Sequence, residues 1–175
     1  EKRAYRCTMK WSNAIQSFLK DISDEEIKDI YSNSIGRRKV ISPYELTDEE
    51  FIQKWKNVEY TSKKFNYDTS EIFSERGERV RSKSEKIIAD KLNMLGIPYR
   101  YEYPLYLKGL GKVYPDFTLL DIKTRKEIIF EHFGMMDNIE YCNKAINKIN
   151  YYIKNEYYPG DNLIITYESS VQPLN

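Results

Sequence analysis

The stretch that decides the fold is Val113-Tyr-Pro-Asp-Phe-Thr-Leu-Leu120, a polar turn, and then Ile128-Ile-Phe-Glu-His-Phe133. Both runs are rich in β-branched and aromatic residues, and the polar segment between them predicts a β-hairpin. Each run carries one acid, Asp116 or Glu131, that an ordinary strand would not favour. If the turn is centred on Lys123 and Thr124, the numbers of facing residues add up to 247, so Asp116 faces Glu131.

The two acids would then be cross-strand neighbours on one face of the hairpin, roughly 5 Å apart. At an effective dielectric constant of about 20, two ionised carboxylates at that distance repel by on the order of 3 kcal/mol. Either one carboxyl group stays protonated or a cation lies between them, and Mg²⁺ is commonly held by one or two carboxylates, water and phosphate oxygens. The pair therefore suggests a divalent-metal site directed at a phosphodiester. Two alternatives stay open: a shift of one residue would place the acids on opposite faces, and like charges also meet by accident at sheet edges.

The composition limits the class of protein. The 175 residues are 41% hydrophobic and 31% charged, with a net charge of +1 and a mean hydropathy of −0.70, as expected of one soluble domain with an appended helical part. Net charge gives no argument for a nucleic-acid partner, so only a local basic patch could. The two cysteines, Cys7 and Cys142, form no disulfide framework, which predicts a reducing, cytoplasmic location. No apolar run is long enough for a membrane span. The absence of a signal peptide and of an initiating Met suggests that the sequence begins inside a longer reading frame or has lost its start.

The chain is expected to contain an N-terminal helical region, 1–74, and a second domain, 75–175. Helical spacing and two capping-box patterns, at 23–26 and 47–50, predict helices in the first region. Nothing in this region carries recognisable chemistry. It could serve as a helical cap or as a partner-binding surface, or it could be a piece of a larger protein.

Residues 75–95 contain a predicted helix, 83–95, with Ile88, Leu92 and Leu95 as its apolar stripe. Ser82 and Glu85 form an N-cap pair at the N-terminal end of the helix. Glu85 comes three residues before Ile88, so it lies on that same stripe. Glu85 is either a capping residue only or a third acid of the site. The same segment is rich in cations, which either contact a phosphate backbone or form a solvated surface; they include Arg79, Arg81, Lys83 and Lys86.

The remaining elements predict an α/β (α+β) fold. Alternation predicts a strand over 99–107, followed by a hairpin loop at 108–112. A helix over about 138–155 has two faces, one with Tyr141, Ala145, Lys148 and Tyr152, and one, expected to be the packing side, with Ile146, Ile149 and Ile153. Leu163–Tyr167 reads as a buried strand, so the strand–helix–strand unit predicts a right-handed parallel crossover. The expected architecture is a mixed central sheet flanked by helices, with an N-terminal helical region.

This order of elements and motifs resembles the PD-(D/E)xK nuclease superfamily, whose fold is restriction-endonuclease-like. The residues that carry the resemblance are Glu85, Pro115-Asp116 and Glu131, over about 75–168. The sequence around them also resembles that of a group of uncharacterised bacterial and phage proteins, with Glu131-His-Phe-Gly134 in place of Glu-x-Lys. The resemblance implies Mg²⁺ or Mn²⁺ on Asp116 and Glu131, with Glu85 bound directly or through water, and hydrolysis of phosphodiester bonds in DNA.

The sequence departs from the family pattern at Phe133, where the family has a lysine. In some relatives the lysine comes from the next helix, and Lys144 and Lys148 are the candidates. Lys148 is preferred because it shares a helix face with Tyr141. His132 should point to the opposite face of the strand, where a packing or hydrogen-bonding role is expected, and it would join the site only through a bulge or a strand end.

Three functions are compatible with these patterns. The first is a Mg²⁺- or Mn²⁺-dependent nuclease that acts on DNA, for which a homodimer or larger complex is left open. The second is a nucleic-acid-binding or partner-binding module that has lost cleavage, which the Phe133 departure favours. The third is a retaining glycosidase, because two carboxylates about 5 Å apart also suit that mechanism.

Overall fold

A computed structural model describes residues 9–10, 12–13, 17, 46–65 and 71–174. The chain divides into two compact units, Glu1–Glu50 and Phe51–Asn175. This division falls earlier than the 74/75 boundary suggested by the sequence, since Trp55 and Tyr60 bond to residues of the central sheet. The helices expected within residues 1–45 lie outside the described residues, apart from the few described positions before residue 46, which are helical.

The described part of the chain is a mixed α/β structure built on a four-stranded sheet. Eight strands follow in chain order: β1 (Ile72–Phe73), β2 (Arg79–Val80), β3 (Tyr99–Tyr101), β4 (Leu105–Leu107), β5 (Gly111–Val113), β6 (Phe117–Asp121), β7 (Lys126–Phe133) and β8 (Leu163–Tyr167). The central sheet has the order β3-β6-β7-β8; β3, β6 and β7 run antiparallel, and β8 is parallel to β7. The predicted fold class and the parallel pairing of the last two strands are confirmed.

Two short hairpins, β1–β2 and β4–β5, stand outside the central sheet. The predicted single strand over 99–107 is wrong, because the chain leaves the sheet after Tyr101. Glu102 has a left-handed φ of 48°, which L-residues rarely adopt and which breaks a strand. Its buried carboxylate pairs with Arg81 at 2.6 Å, so a specific contact accompanies the turn.

The helices are α1 (Asp48–Lys56), α2 (Lys83–Met94) and α3 (Ile139–Lys154). At the start of α1, Thr47 and Glu50 form the predicted capping box. Ser82 caps α2 by accepting a 3.1 Å hydrogen bond from the Glu85 N–H. Leu95, expected in the apolar stripe, is instead an exposed C-cap residue. None of the helices in the described part of the chain has the length and hydrophobicity needed to span a bilayer.

The two faces of the sheet have separate hydrophobic cores. On one face, Phe117 packs with Ile88 and Leu92 of α2. On the other, Ile129 and Leu163 pack with Tyr152 of α3. Because side chains alternate along a strand, Glu131 lies on the α3 face and His132 on the α2 face.

The packing side of α3 differs from the prediction. Ala145 and Tyr152 are the buried residues of the helix, whereas Ile146 and Ile153 are 50% and 39% exposed. Apolarity alone would turn the isoleucines inward. The sheet beneath α3, however, contains the buried Glu131, whose carboxylate needs hydrogen-bond donors, and the polar face of α3 supplies them.

Candidate active site

The hairpin β6–β7 brings Asp116 and Glu131 together. Its ladder pairs Phe117 with Phe130 and Asp121 with Lys126, which confirms the predicted register. Asp116 directly precedes β6, and the same register places it opposite Glu131. The backbone N–H of His132 donates a 2.7 Å hydrogen bond to Asp116 Oδ2, so the carboxylate is fixed against β7.

The environment of Asp116 disfavours its charge. Burial raises its pKa well above the usual value, and the negative charge of Glu131 raises it further. The hydrogen bond from His132 and the ammonium of Lys148 lower it, and the Glu85 charge adds a smaller upward contribution. The repulsion predicted from the sequence is therefore present, and a cation at this position would relieve it.

Glu131 is held by two donors from α3. Its side chain is 2% exposed. Oε1 accepts a 2.5 Å hydrogen bond from the Tyr152 hydroxyl and lies 2.6 Å from Lys148 Nζ. Burial and the Glu131 charge raise the pKa of Tyr152, so the phenol stays protonated and continues to donate. The buried carboxylate is thus compensated, as a buried charge must be.

An open cavity of about 220 Å³ lies over these groups. Its lining residues are Asp116, Glu131, His132, Phe133, Tyr141, Lys144, Ala145 and Lys148. Among the described residues, neither Asp116 Oδ1 nor Glu131 Oε2 accepts a hydrogen bond. Each carboxylate is therefore anchored through one oxygen and keeps the other for a ligand, a donor set that suits a small hard cation.

Lys148 contacts an acid of the cavity, whereas Lys144 lies at the edge of the cavity. Lys148 forms the ion pair with Glu131, while Lys144 is exposed at the cavity wall. Phe133, where the resemblance implies a lysine, is buried, stacks on Tyr167 at 5.9 Å and meets the edge of Tyr141 at 6.5 Å. The strand position is thus a packing position, and α3 brings the ammonium to the acids.

Glu85 lies on the other side of the sheet, because α2 packs against the face opposite α3. Its Oε2 accepts hydrogen bonds of 2.8 Å from the Arg81 N–H and 2.6 Å from the Tyr101 hydroxyl. It does not line the cavity. Within the described ranges no three His, Cys, Asp or Glu side chains form a group that could hold a metal ion. The structure brings together two of the three predicted acids, and the role of Glu85 as a metal ligand stays a prediction.

The side chain of His132 contacts residues on the face away from Glu131, as expected. Its Nδ1 lies 2.9 Å from Thr166 Oγ1 on β8. Nε2 lies 3.3 Å from Glu168 Oε1, although the geometry is not that of a hydrogen bond. Glu168 is itself held by the Ser84 hydroxyl at 2.6 Å. His132 contributes its backbone N–H to the cavity, and its ring belongs to a separate polar cluster.

The basic residues predicted to contact nucleic acid are mostly engaged within the chain. Arg81 pairs with Glu102 at 2.6 Å, and Lys86 pairs with Asp90 at 2.6 Å. The Arg79 guanidinium lies 4.5 Å from the Phe65 ring centroid. Lys83 is exposed and lines a groove with Ser84 on the α2 side of the sheet. Lys144 and Lys148, by contrast, line the same cavity as the two acids.

Comparison with known proteins gives little further guidance. No protein-family model matches the sequence. Over 71 residues the chain is 43% identical to the uncharacterized protein MJ1519 of Methanocaldococcus jannaschii, a match that covers 41% of this chain and 6% of that protein. The cryo-EM structure of a DrdV–DNA complex matches with a TM-score of 0.34 and 16% identity, over 73% of this chain and 12% of that one. The chain thus spans a small part of either protein.

Sequence reasoning missed the role of Tyr152, the second donor to Glu131. It placed Tyr152 on the same helix face as Lys148 but gave it no partner. One signal was available: a residue four positions from a candidate lysine, one helical turn away, faces the same strand. The donor role of Tyr101 towards Glu85 had no comparable signal, because the two residues lie on different elements.

Proposed function

We propose that the chain is a metal-dependent nuclease that hydrolyses phosphodiester bonds in DNA, with Mg²⁺ or Mn²⁺ held by Asp116 and Glu131. The observation that carries the proposal is the cluster of Asp116, Glu131 and Lys148 around one open cavity. Two carboxylates anchored through one oxygen each fit a cation that takes its remaining ligands from water and phosphate. When bound, such a metal polarises a phosphoryl oxygen and lowers the pKa of coordinated water.

The residues of the chain itself would orient the ligand oxygens and stabilise negative charge on the phosphate. The Tyr152 hydroxyl fixes Glu131, and the His132 N–H fixes Asp116, so both ligand oxygens keep their positions without reorganisation. Lys148 lies where an ammonium can stabilise negative charge that develops on a phosphate bound between the acids. Lys144, at the wall of the cavity, is placed to contact a neighbouring phosphate. The choice of DNA over RNA rests on the family resemblance.

The size of the cavity favours a phosphate over a sugar. Small-molecule pockets typically occupy about 300–1,000 Å³, whereas this cavity measures about 220 Å³. An ion and one phosphate group need less room than a sugar ring and its neighbours. The cavity therefore favours a phosphodiester over a glycoside as the substrate.

A binding module without cleavage is the second candidate. Phe133 in the lysine position and the engagement of Glu85 by Arg81 and Tyr101 favour it, because both reduce the usual set of catalytic groups. It predicts DNA binding that survives removal of the metal.

One experiment separates the two. Linear and circular DNA are incubated with the protein in Mg²⁺, Mn²⁺ or chelator, beside Asp116→Ala and Asp161→Ala, an exposed acid in a turn that serves as the matched control. Cleavage that needs metal, is lost in Asp116→Ala and persists in Asp161→Ala supports the nuclease. Binding without cleavage in any metal, at equal levels in all three proteins, contradicts it and supports the module.

A further inference from the structure

The two walls of the candidate active-site cavity differ in their hydrogen-bonding chemistry. The hairpin contributes the carboxylates of Asp116 and Glu131, which are acceptors when ionised. The helix α3 contributes Tyr141, Lys144 and Lys148, and steps of three and four residues place these side chains on one helix face. All three can donate a hydrogen bond, and none is an acid. A ligand of this cavity is therefore expected to combine a cation, held by the hairpin, with acceptor oxygens that face α3.

The Tyr141 hydroxyl is held through its oxygen and keeps its proton for a ligand. The oxygen accepts a 3.3 Å hydrogen bond from the Gly134 N–H. A phenol can accept and donate at the same time, but in the part of the chain that the structure describes this hydroxyl donates to no acceptor. The ammonium of Lys148, in contrast, is already paired with Glu131 at 2.6 Å.

The surroundings of Tyr141 fix its ring and keep the phenol protonated. The side chain is half-buried, and its ring meets the edge of the Phe133 ring at a centroid distance of 6.5 Å. Burial raises the pKa of Tyr141 above its ordinary value, and the negative charge of Asp116 adds to this effect. The residue is thus a neutral hydrogen-bond donor at neutral pH, and its position is set before a ligand enters.

We propose that Tyr141 is a substrate-binding residue whose hydroxyl donates a hydrogen bond to a non-bridging oxygen of the scissile phosphate. This role rests on the proposed function, because it takes a phosphodiester as the occupant of the cavity. A cation shared with Asp116 and Glu131 lies on the hairpin side, so the α3 donors are matched to the phosphate oxygen that points away from the acids. A neutral phenol stabilises that oxygen without repelling the cation, as a further ammonium would.

The test compares two tyrosine variants in binding inorganic phosphate. Tyr141→Phe removes the donor and keeps the ring. Tyr157→Phe is the matched control, because Tyr157 is also half-buried but does not line the cavity. Calorimetric titration of phosphate into the full chain with Mg²⁺ gives the affinity. One hydrogen bond to a charged group corresponds to about tenfold or more in affinity, so Tyr141→Phe should bind phosphate at least about tenfold more weakly, and Tyr157→Phe should bind it like the wild type.

The response to Mg²⁺ alone separates a phosphate contact from a merely structural role. Both acids are intact in Tyr141→Phe, so MgCl₂ without phosphate should raise its thermal unfolding midpoint by as much as that of the wild type. A variant that loses the Mg²⁺ response together with the phosphate affinity would have a distorted site, and this result would overturn the direct contact.

DNA cleavage under single-turnover conditions distinguishes a failure of this role from a failure of the proposed function. Tyr141→Phe should cleave linear DNA at least about tenfold more slowly than the wild type, and Tyr157→Phe should cleave it at the same rate. A wild type that binds no inorganic phosphate, or a Tyr141→Phe variant that cleaves as fast as the wild type, overturns the role of Tyr141 alone. A wild type that binds phosphate through Tyr141 but cleaves no DNA in Mg²⁺ or Mn²⁺ overturns the nuclease and retains the contact to a phosphate group.

Discussion

The Asp116 carboxylate, which is proposed to bind the metal, lowers the stability of the fold when it is ionised. Its pKa is raised by burial and by the Glu131 charge, so the folded state binds the proton more tightly than the unfolded chain does. The free-energy contribution of this group is favourable below the unfolded pKa of about 3.9 and is lost as the pH rises through the folded pKa. Once ionised, the carboxylate destabilises the fold, because it is buried and faces the Glu131 charge.

Asp116→Asn should therefore be more stable than the wild type at neutral pH. The amide oxygen can still accept the hydrogen bond from the His132 N–H, while the repulsion from Glu131 disappears. We expect a gain of about 1–2 kcal/mol, less than the bare repulsion of roughly 3 kcal/mol because Lys148 offsets part of it. Urea unfolding without divalent metal measures it, with Asp161→Asn as the control. The gain should shrink as the pH is lowered towards 4; a gain that is independent of pH would contradict this assignment.

Lys148 and Lys144 differ in what they touch, and their variants should differ accordingly. Lys148→Met removes the ammonium 2.6 Å from Glu131 Oε1, so metal-dependent cleavage should fall by about 10²–10³-fold, the loss typical of one electrostatic donor. Lys144→Met removes an exposed charge and should weaken DNA binding without abolishing cleavage. Single-turnover cleavage at saturating protein separates the two effects. A larger loss of cleavage in Lys144→Met than in Lys148→Met would reverse the assignment.

At the residue scale, the sequence was sufficient to predict that Asp116 and Glu131 face each other, but not to predict which side chains donate hydrogen bonds to them. The register of Asp116 and Glu131 depends on local turn chemistry around Lys123 and Thr124, which is legible in a sequence. The hydrogen bond from Tyr152 depends on how α3 is rotated against β7. Sixteen tyrosines occur in the chain, and apart from the four-residue spacing from Lys148 nothing local distinguishes Tyr152 as the one that reaches a buried carboxylate.

At the scale of elements, the spans of α3 and β8 were predictable from the sequence and the inward face of α3 was not. The limits of α3 and β8 follow from turn residues and periodicity, and the structure places both close to the expected positions. The inward face of α3 does not follow from hydropathy, because Ile146 and Ile153 are more apolar than Lys148 and Tyr152. The buried Glu131 reverses the usual choice, since an uncompensated carboxylate costs more than two exposed isoleucines.

The N-terminal turn of α2 provides a test of the capping role of Glu85. Glu85→Gln keeps an oxygen that can accept from the Arg81 N–H and the Tyr101 hydroxyl, so stability and cleavage should stay close to those of the wild type. Glu85→Ala leaves both donors without this acceptor and should lose about 1–3 kcal/mol of unfolding free energy. Urea unfolding and DNA cleavage are measured on both variants. A Glu85→Gln protein that is stable and binds DNA but no longer cleaves would assign Glu85 to the metal instead.

At the scale of the whole molecule, long-range contacts decide where the second unit begins. The Trp55 indole donates a 2.7 Å hydrogen bond to Glu127 of β7, and the Tyr60 hydroxyl donates a 2.8 Å hydrogen bond to the Tyr101 carbonyl of β3. The Arg100 guanidinium, 5% exposed, lies 4.0 Å from the Trp55 ring. The sequence over 56–74 has no clear period, so the attachment of Tyr60 to the sheet could not be predicted from local patterns. The burial of Arg100 could not be predicted from local patterns either, because its hydrogen-bond partners are 45 and 27 residues away along the chain.

Metal binding should be visible in the stability of the entire chain. A ligand that binds only the folded state adds about 2.7 kcal/mol at a concentration of 100 times its Kd, and each kcal/mol corresponds to roughly 2–4 °C in the unfolding midpoint of a domain of this size. Mg²⁺ or Mn²⁺ should therefore raise the midpoint of the wild type by several degrees, because the cation neutralises the repulsion between Asp116 and Glu131. Asp116→Asn has lost both the repulsion and a ligand oxygen, so its midpoint should start higher and respond little. Thermal unfolding in MgCl₂, MnCl₂ and NaCl at matched ionic strength gives the comparison, and equal shifts in both proteins would place the cation elsewhere.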